Sequence, residues 1–553
     1  MRFAVAILLW TATSAYCQSP TATVIGRITD ASGSVVPNVS IKVTNLDTNR
    51  VFSSVSNSAG DYTVPYLAPG TYSLQAEASG FGTHKQSGFT LVVDQEQRID
   101  IKMEVGASSQ TITITEAPEA LTTESGSRGT VTSNAELTEM PLNGRNYSDL
   151  AFLADGVVPK GEGGDGQFAV NGARADNVSL MVDGMNNTQR RNTTSMVSPP
   201  LESVQEFKLT TSGFSAEYGR FAGGVLSMVS KSGGNRLRGT LYEFLRNNAF
   251  DARNFFSLAN PKLIQNQFGA TVTGPVVLPK LYNGKDKTFF LFSWESQRQL
   301  GGSTTRGSVP AAGLLSGNFS KATDAFGKPE TINDPLAKNT PFPGNIIPSA
   351  RLDPVARAIG AYYPQPNIPS GTNNYYVQAN SKNDYNKFST KVDHSIGNND
   401  RLTFSTLWNK SDSINPFQRS PIAIFAGTTA NFGLLSGIRY IHTFSPSMYN
   451  EASVNFSRNT FDQRSVGSDH DWSADVGFKG ATKDPSTLAS PTLQSAAISI
   501  WARRMIFRKS GPTTISNTPM PSPGSKPATP SNLAETFCAI SISTTTTPIC
   551  ADA

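Results

Sequence analysis

The sequence is poor in charge, in cysteine and in histidine. Of its 553 residues only 16% are charged, and it contains 3 cysteines and 4 histidines. The formal net charge of +5 comes from scattered lysine and arginine, without the basic run that a nucleic-acid-binding protein carries. The cysteines, Cys17, Cys538 and Cys550, are too few and too close to the chain ends for a disulfide framework. The composition therefore predicts neither a nucleic-acid partner nor a disulfide-stapled domain.

The sequence also lacks the motifs of an enzyme. It has no phosphate-binding loop, no dinucleotide fingerprint and no nucleophile elbow. Asp469-His470-Asp471 comes nearest to a metal cluster, but adjacent residues of an extended chain point to opposite sides, which favours a solvated loop. Arg190 and Arg191 could face an anion, although a solvated turn explains them better. We predict no enzyme and no catalytic, cofactor-binding or metal-binding residues. The remaining histidines, His84, His394 and His442, are isolated.

Long hydrophobic runs are missing as well. Residues 1–17 begin with a cation at Arg2, continue through an apolar run over residues 3–10 and end in small or polar residues. This pattern predicts a secretory signal peptide cleaved before Gln18. A membrane anchor is the alternative, but the run falls short of the roughly 18 residues of a spanning helix. Any membrane crossing must then use strands that close into a barrel.

Short alternating strands and turns fill residues 21–104. Apolar residues recur at every second position, as in Val39, Ile41 and Val43, and turn signals such as Ser32-Gly33 separate the runs. Similar faces are formed by Val24, Gly26 and Ile28 and by Tyr72, Leu74 and Ala76. The spacing predicts a small β-sandwich. The run VIGRITDASGSVVPNVSIKVTN resembles the carboxypeptidase regulatory-like domain, an immunoglobulin-like and non-catalytic module.

Residues 119–235 are polar and rich in glycine, and they carry three motifs in order. These are MPLNGRNYSDLAFLADGV, FAVNGARADNVSLMVDGMNN and ESVQEFKLTTSGFSAEYGRFAGGVLSMVSKSGGN. Three ordered matches are much harder to produce by chance than one. Together they resemble the plug of the Oar-like family of TonB-dependent outer-membrane receptors. The resemblance implies a mixed α/β plug that blocks a barrel until TonB pulls on it.

The segment of residues 105–118 joins these two regions. Thr and Ile alternate strictly in it, which is typical of a strand that adds to another sheet edge. A linker or an eighth sandwich strand would explain the pattern as well. The family resemblance implies a TonB box, the element that TonB binds. Its residues are Thr111, Ile112, Thr113, Ile114 and Thr115.

Barrel-like strands follow over residues 236–500. In KDKTFFLFSWESQRQ, one face carries Phe290, Phe292 and Trp294, while Ser293, Glu295 and Gln297 lie opposite, so the apolar face would meet lipid. A first hairpin pairs Phe388 and Val392 with Leu402, Phe404 and Trp408, and a second pairs Ile438 and Tyr440 with Val454 and Phe456. About seven strands are expected between Asn235 and Asn459. A soluble sandwich could produce similar alternation, but the motif order again resembles the Oar-like barrel.

Two further segments complete the predicted organisation. Residues 298–385 are rich in Gly, Pro, Asn and Ser and predict a long extracellular loop. Residues 501–553 lose the alternation and become rich in Pro, Ser and Thr, which indicates either a low-complexity tail or out-of-frame sequence. Codons chosen for residues 516–539 and read one base earlier can encode EHTYAFTWIKARHTIKFGGNFLRY, which resembles a further barrel strand. We therefore expect residues 501–553 to be an out-of-frame, disordered tail.

The predicted protein is mainly β, with an N-terminal immunoglobulin-like β-sandwich, a mixed α/β plug and an incomplete transmembrane antiparallel β-barrel. The resemblance implies an outer-membrane receptor or transporter for an unidentified bulky solute, truncated and not transport-competent as written. Its expected partners are the TonB complex, outer-membrane lipid and an extracellular ligand. The alternative is a cell-surface adhesion or carbohydrate-binding protein of the outer membrane.

Overall fold

A computed structural model of the chain gives the following fold. It describes residues 21–106, 111–114, 126–140, 142–159, 168–189, 194–214, 218, 221–253, 255, 260–323, 328–369, 373–417, 426–445, 448–466, 470–478 and 535–548. The predicted signal peptide of residues 1–17, together with Thr115, Arg190, Arg191 and Asp469, lies outside the described residues. No helix in the described part of the chain combines the length and the apolar character that a membrane crossing requires.

The N-terminal region is a β-sandwich, as predicted. Strands β1–β9 are Ala22–Thr29, Ser40–Asn45, Val51–Val55, Asp61–Leu67, Gly70–Glu77, Thr83–Leu91, Glu96–Arg98, Ile101–Lys102 and Thr111–Ile114. One sheet has the order β4-β1-β7 with β8 beside β1, and the other has the order β3-β2-β5-β6-β9. The alternating residues singled out in the sequence form its core, including Val24, Ile41 and Leu74. Their period of two places every second side chain on the inner face.

The plug follows, and its main sheet has five strands with β16 (Gly224–Ser230) at the centre. Strands β10–β16 are Arg128–Ser133, Val157–Pro159, Phe168–Val170, Val178–Val182, Met185–Asn186, Val204–Ser212 and Gly224–Ser230. Helix α1 is Asn134–Glu139, and 3-10 helices are Asn143–Arg145, Tyr147–Leu153, Ala175–Asn177 and Leu201–Ser203. The main sheet has the order β10-β15-β16-β13-β14 and is mixed, since β13 and β16 run parallel. Every residue of β16 is buried, as expected for a strand covered on both faces.

The barrel region forms one long antiparallel sheet. Strands β17–β28 are Arg238–Asn247, Leu263–Pro275, Val277–Leu278, Tyr282–Asn283, Thr288–Gly307, Asn333–Asp334, Thr340–Pro341, Tyr375–Ile396, Asp400–Asn415, Gly427–Ser445, Met448–Ser465 and Glu535–Pro548. The sheet order is β17-β18-β21-β24-β25-β26-β27-β28. Its first seven strands confirm the number expected from the sequence. Among the described residues β17 and β28 do not pair, so the sheet is open rather than a closed barrel.

Both predicted hairpins have the expected register. Phe388 lies opposite Trp408, with the two rings stacked at 4.3 Å, and Ile438 lies opposite Val454. The two faces of β21 also follow the prediction. Phe292 is 42% exposed on the outer face, whereas Glu295 is 1% exposed on the inner face. The sheet therefore turns its apolar side outward and its polar side toward the plug.

The segment predicted as a long loop over residues 298–385 is shorter and more ordered than expected. β21 continues to Gly307 and pairs with Tyr375, the first residue of β24. The strand extensions carry mostly polar residues, so they lack the alternation that marks a strand in a sequence. Between them lie helices α2 (Ala312–Leu315) and α3 (Pro354–Gly360) and 3-10 helices Pro343–Asn345 and Ser349–Arg351.

This segment between β21 and β24 has a small core of its own. Ile332, Phe342, Ile347 and Leu352 are buried together. Asn345 ties the surrounding chain, because its amide donates to the carbonyls of Phe319 and Glu330 at 2.7 and 2.8 Å. The segment is therefore a folded cap and not a structureless loop.

The end of the chain also differs in part from the expectation. After β27, helix α4 (Trp472–Asp475) is described, and Glu535–Pro548 then pairs antiparallel with β27 as strand β28. These fourteen residues are a strand where a disordered tail was expected. Thr and Ser can occupy a strand as well as a low-complexity tail, and composition alone does not separate the two. The out-of-frame origin of residues 501–553 stays a prediction.

Candidate site at the plug and barrel interface

The plug packs directly against the inner face of the barrel sheet. Leu407 and Leu435 of the barrel strands belong to the same buried cluster as the plug core. Gly433 on β26 makes the close approach possible, because a Cβ atom there would lie 2.3 Å from the carbonyl oxygen of Met196. At Gly437, four residues further along β26, a Cβ atom would lie 2.6 Å from the Met185 sulfur atom of the plug and 2.3 Å from the side-chain oxygen of Asn455. The sequence analysis missed these two glycines, whose only signal was their four-residue spacing within an alternating strand.

A buried acidic turn of the plug meets two cations of the barrel wall. Asp183 follows β13 and is 5% exposed, and its carboxylate accepts the Ser230 N–H at 2.9 Å. Lys391 of β24 lies 3.6 Å from this carboxylate and donates to the Ser230 carbonyl at 3.2 Å. The guanidinium of Arg439 donates to the Asp183 carbonyl, and its Nε lies 3.3 Å from Glu451. Such charges are tolerated in a buried site because each has a partner.

A second contact holds the segment where the plug enters the barrel. Asp393 of β24 accepts a hydrogen bond from the Ser232 hydroxyl at 3.0 Å. The same carboxylate pairs with Arg401 at 3.0 Å and accepts from the Thr403 hydroxyl at 2.8 Å. Ser232 lies between the last plug strand and the first barrel strand. This contact therefore anchors the chain where the plug is joined to the barrel.

A third contact lies beside the first barrel strand. Arg145 of the plug pairs with Glu202 at 2.7 Å, and its guanidinium lies over the rings of Tyr242 and Phe244 at 5.1 and 4.3 Å. The Tyr242 hydroxyl donates to Glu295 at 2.9 Å. Glu295 also lies 3.3 Å from Lys387. The inward polar face of the barrel thus continues into an ionic and aromatic network on the plug.

The predicted TonB box lies on the sandwich. Thr111, Ile112, Thr113 and Ile114 form β9, which pairs parallel with Thr83, His84, Lys85 and Gln86 of β6. The fifth predicted box residue, Thr115, is outside the described residues. The segment therefore forms an added strand at a sheet edge, which agrees with its alternation and leaves its role in coupling as a prediction.

The four histidines lie on β6, β24 and β26 and just before α4. His84 is buried in β6, and burial lowers its pKa. His442 contacts Asp400 at 2.6 Å, and His470 contacts Asp475 at 2.6 Å. Within the described ranges no three His, Cys, Asp or Glu side chains form a group suited to a metal ion. The arrangement offers paired charges and packing, which hold the plug against the barrel sheet.

Comparisons with known proteins agree with this architecture. The family model of the outer membrane beta barrel domain matches residues 229–518, more than half of the 553 residues, and ends within the predicted tail. The model of the carboxypeptidase regulatory-like domain matches residues 23–104. The chain is similar to the TonB-dependent transporter Oar of Myxococcus xanthus, with 25% identity over 286 residues. That match covers 49% of this chain and 26% of the relative.

Two solved receptors are similar at low identity. The outer membrane transporter YddB of Escherichia coli matches with a TM-score of 0.38 and 11% identity, over 61% of this chain and 39% of that one. The siderophore receptor PiuA of Acinetobacter baumannii matches with a TM-score of 0.33 and 13% identity, over 61% and 46%. From the family models, the chain belongs to the outer membrane β-barrel family and carries an N-terminal carboxypeptidase regulatory-like domain, and it is similar to the TonB-dependent transporter Oar.

Proposed function

We propose that this chain carries the coupling segment, the plug and the first barrel strands of a receptor that moves an unidentified bulky solute across the outer membrane. The supporting observation is the buried contact of Asp183 with Lys391 and Arg439, which joins plug and wall. Because the plug is held by several separate polar contacts, a pulling force can break these contacts one after another and free the plug. In this proposal TonB supplies that force through the segment that includes β9.

The position of the sandwich favours transport over adhesion. Its contacts with the barrel are made to the short connections near Asp286, Ser395 and Tyr449. Short turns of such barrels face the periplasm, and the long folded segment between β21 and β24 lies at the opposite strand ends. These contacts support the proposal that the sandwich lies on the periplasmic side, where it can meet TonB. An adhesin that used this domain would need it on the cell surface.

Coupling can be tested by breaking the strand character of the box. Ile112→Pro and Ile114→Pro each remove a ladder donor, and we expect at least a tenfold loss of crosslinking to TonB in cells. Ile112→Val is the matched control, because it keeps a β-branched residue and should crosslink normally. Unchanged crosslinking by both proline variants would show that TonB binds elsewhere.

We also propose that the 553-residue chain by itself is not transport-competent. Its described strands form an open sheet of eight, whereas plugged outer-membrane transporters use about 22 strands. An unpaired strand edge in lipid is costly. Planar-bilayer recording of the purified chain should therefore give no stable single-channel conductance, and a defined conductance would refute this.

Resequencing the gene around codon 500 tests the out-of-frame origin of residues 501–553, since a frame without barrel-like continuation would exclude it.

A further inference from the structure

The sandwich is fastened to the barrel through its β2–β3 turn. The Asp47 carbonyl accepts the Asn235 N–H at 2.9 Å, and the Asp47 carboxylate pairs with Arg238 at 2.9 Å. The side chain of Asn49 donates to Asp286 at 3.2 Å. Because Asn235 lies between the plug and the first barrel strand, this turn contacts the segment that connects them.

A second set of contacts fastens the sandwich to the plug. The Val93 N–H donates to the carboxylate of Glu206 on β15. Lys208, two residues along the same strand, donates to the Asp94 carbonyl at 2.8 Å. On the barrel side, the rings of Tyr66 and Tyr449 meet edge to face at 4.0 Å. The sandwich is therefore docked on plug and barrel together.

The coupling strand belongs to this docked domain. β9 takes the outer position beside β6 in the sheet β3-β2-β5-β6-β9. In sequence, residues 103–110 tether it to the sandwich, and residues 115–127 tether it to the first plug strand. Eight residues span at most about 29 Å when fully extended. The tether therefore limits how far β9 can move from the sandwich. A partner that pulls on β9 must either break its pairing with β6 or move the whole sandwich.

We propose that the carboxypeptidase regulatory-like domain sequesters the coupling strand, so that TonB binds β9 only after β9 leaves β6. This inference rests on the proposed role of β9 as the segment that TonB binds. The pairing is short, with four registered residue pairs, and a short ladder can be displaced by another strand. The docking contacts keep β6 in place at the barrel, so that the strand is released and not carried along.

A reversible disulfide tests the sequestration. Lys85 and Thr113 are registered partners, and adjacent strands lie about 4.8 Å apart, within the Cα separation that a disulfide spans. Lys85→Cys with Thr113→Cys is introduced in the full chain together with Cys538→Ser and Cys550→Ser. The affinity for the purified periplasmic domain of TonB is then measured under oxidising and reducing conditions. We expect at least tenfold weaker binding in the oxidised form and recovery on reduction.

A matched pair elsewhere in the same sandwich controls for the disulfide itself. Lys42→Cys with Ser53→Cys joins the exposed registered partners of β2 and β3 and should bind TonB equally in both redox states. Equal binding by the oxidised and reduced Lys85/Thr113 variant would overturn sequestration while leaving coupling intact, since TonB would then use the outer edge of β9. Failure of that pair to oxidise would overturn the β6–β9 pairing. Absence of binding by the unlinked parent would overturn the proposed coupling role itself.

Discussion

The sandwich and the barrel both have apolar residues at every second position, but these residues face inward in the sandwich and outward in the barrel. In the sandwich, Leu74 and its alternating neighbours are turned inward and are 0–8% exposed. In β21 the apolar residue Phe292 is turned outward and Glu295 is buried. Water surrounds the first fold and lipid surrounds the second, so burying apolar area stabilises one and exposing it to lipid stabilises the other. A period of two therefore predicts a strand but not which face is inside.

We expect the largest loss of stability from substitutions on the buried polar face of the barrel. Lys391→Met removes a cation from the buried group around Asp183, and we expect a loss of about 3–5 kcal/mol in the free energy of plug unfolding. The measurement is denaturant unfolding followed by proteolysis of the plug. Lys410→Met, on an exposed position of β25, is the control and should change little. An equal loss of unfolding free energy in both variants would show that inner and outer polar residues of the barrel contribute alike.

A matched pair of truncations compares the apolar residues of the two regions. Leu74→Ala opens a cavity in the sandwich core and should cost about 2–5 kcal/mol of unfolding free energy. Phe292→Ala, on the outer face, should cost only about 1 kcal/mol in detergent, since Phe292 is 42% exposed and loses mainly its edge contact with the Phe388 ring. Thermal unfolding monitored separately for sandwich and barrel checks both values. An equal cost would mean that the outer face is packed against protein.

The close approach of plug and wall can be tested at one glycine. Gly433→Ala places a methyl group against the Met196 backbone, which cannot rotate away, and should weaken plug seating by about 1–3 kcal/mol. Gly397→Ala offers a comparison in the β24–β25 turn, where the cost comes from a positive φ and not from contact with the plug. Amide hydrogen exchange of β13 and β14 should quicken only in Gly433→Ala.

The smallest expected effect concerns pH at the contact between sandwich and plug. Burial raises the pKa of Asp94 to about 6 and that of Glu206 to about 7. The other titratable groups that face them are Lys208 and Tyr218, and burial lowers the pKa of Lys208. Acids with a raised pKa bind protons more tightly when docked, so docking is strongest below about pH 4 and weakens as pH rises to about 7. Limited proteolysis between the two domains should be several-fold faster at pH 8 than at pH 5.

A carboxamide variant isolates the group responsible for this pH dependence. Glu206→Gln cannot ionise, so it should reduce the dependence of the proteolysis rate on pH to the part that comes from Asp94. Glu96→Gln changes an exposed carboxyl on the same sandwich and should leave the dependence as it is. Persistence of the full dependence in Glu206→Gln would assign it to another group.

Much of the fold follows from local pattern. The sandwich strands, the two hairpins and the residues that share each face of β21 were predictable because their alternation is strong and their turns are short. The candidate interface was not. Asp183, Lys391 and Arg439 are 48 to 256 residues apart in sequence, and each is an ordinary polar residue in its own segment. Gly433 is likewise unremarkable until the plug backbone is placed beside it.

By itself the sequence determined that the chain is mainly strand, which residues share a face and which families the chain resembles, because these depend on neighbours along the chain. Only the tertiary structure decided which face is covered and which charges meet. It also decided that β9 adds to the sandwich edge. Those outcomes depend on contacts between distant segments, where burial turns a polar residue from a solvated side chain into one that needs a partner.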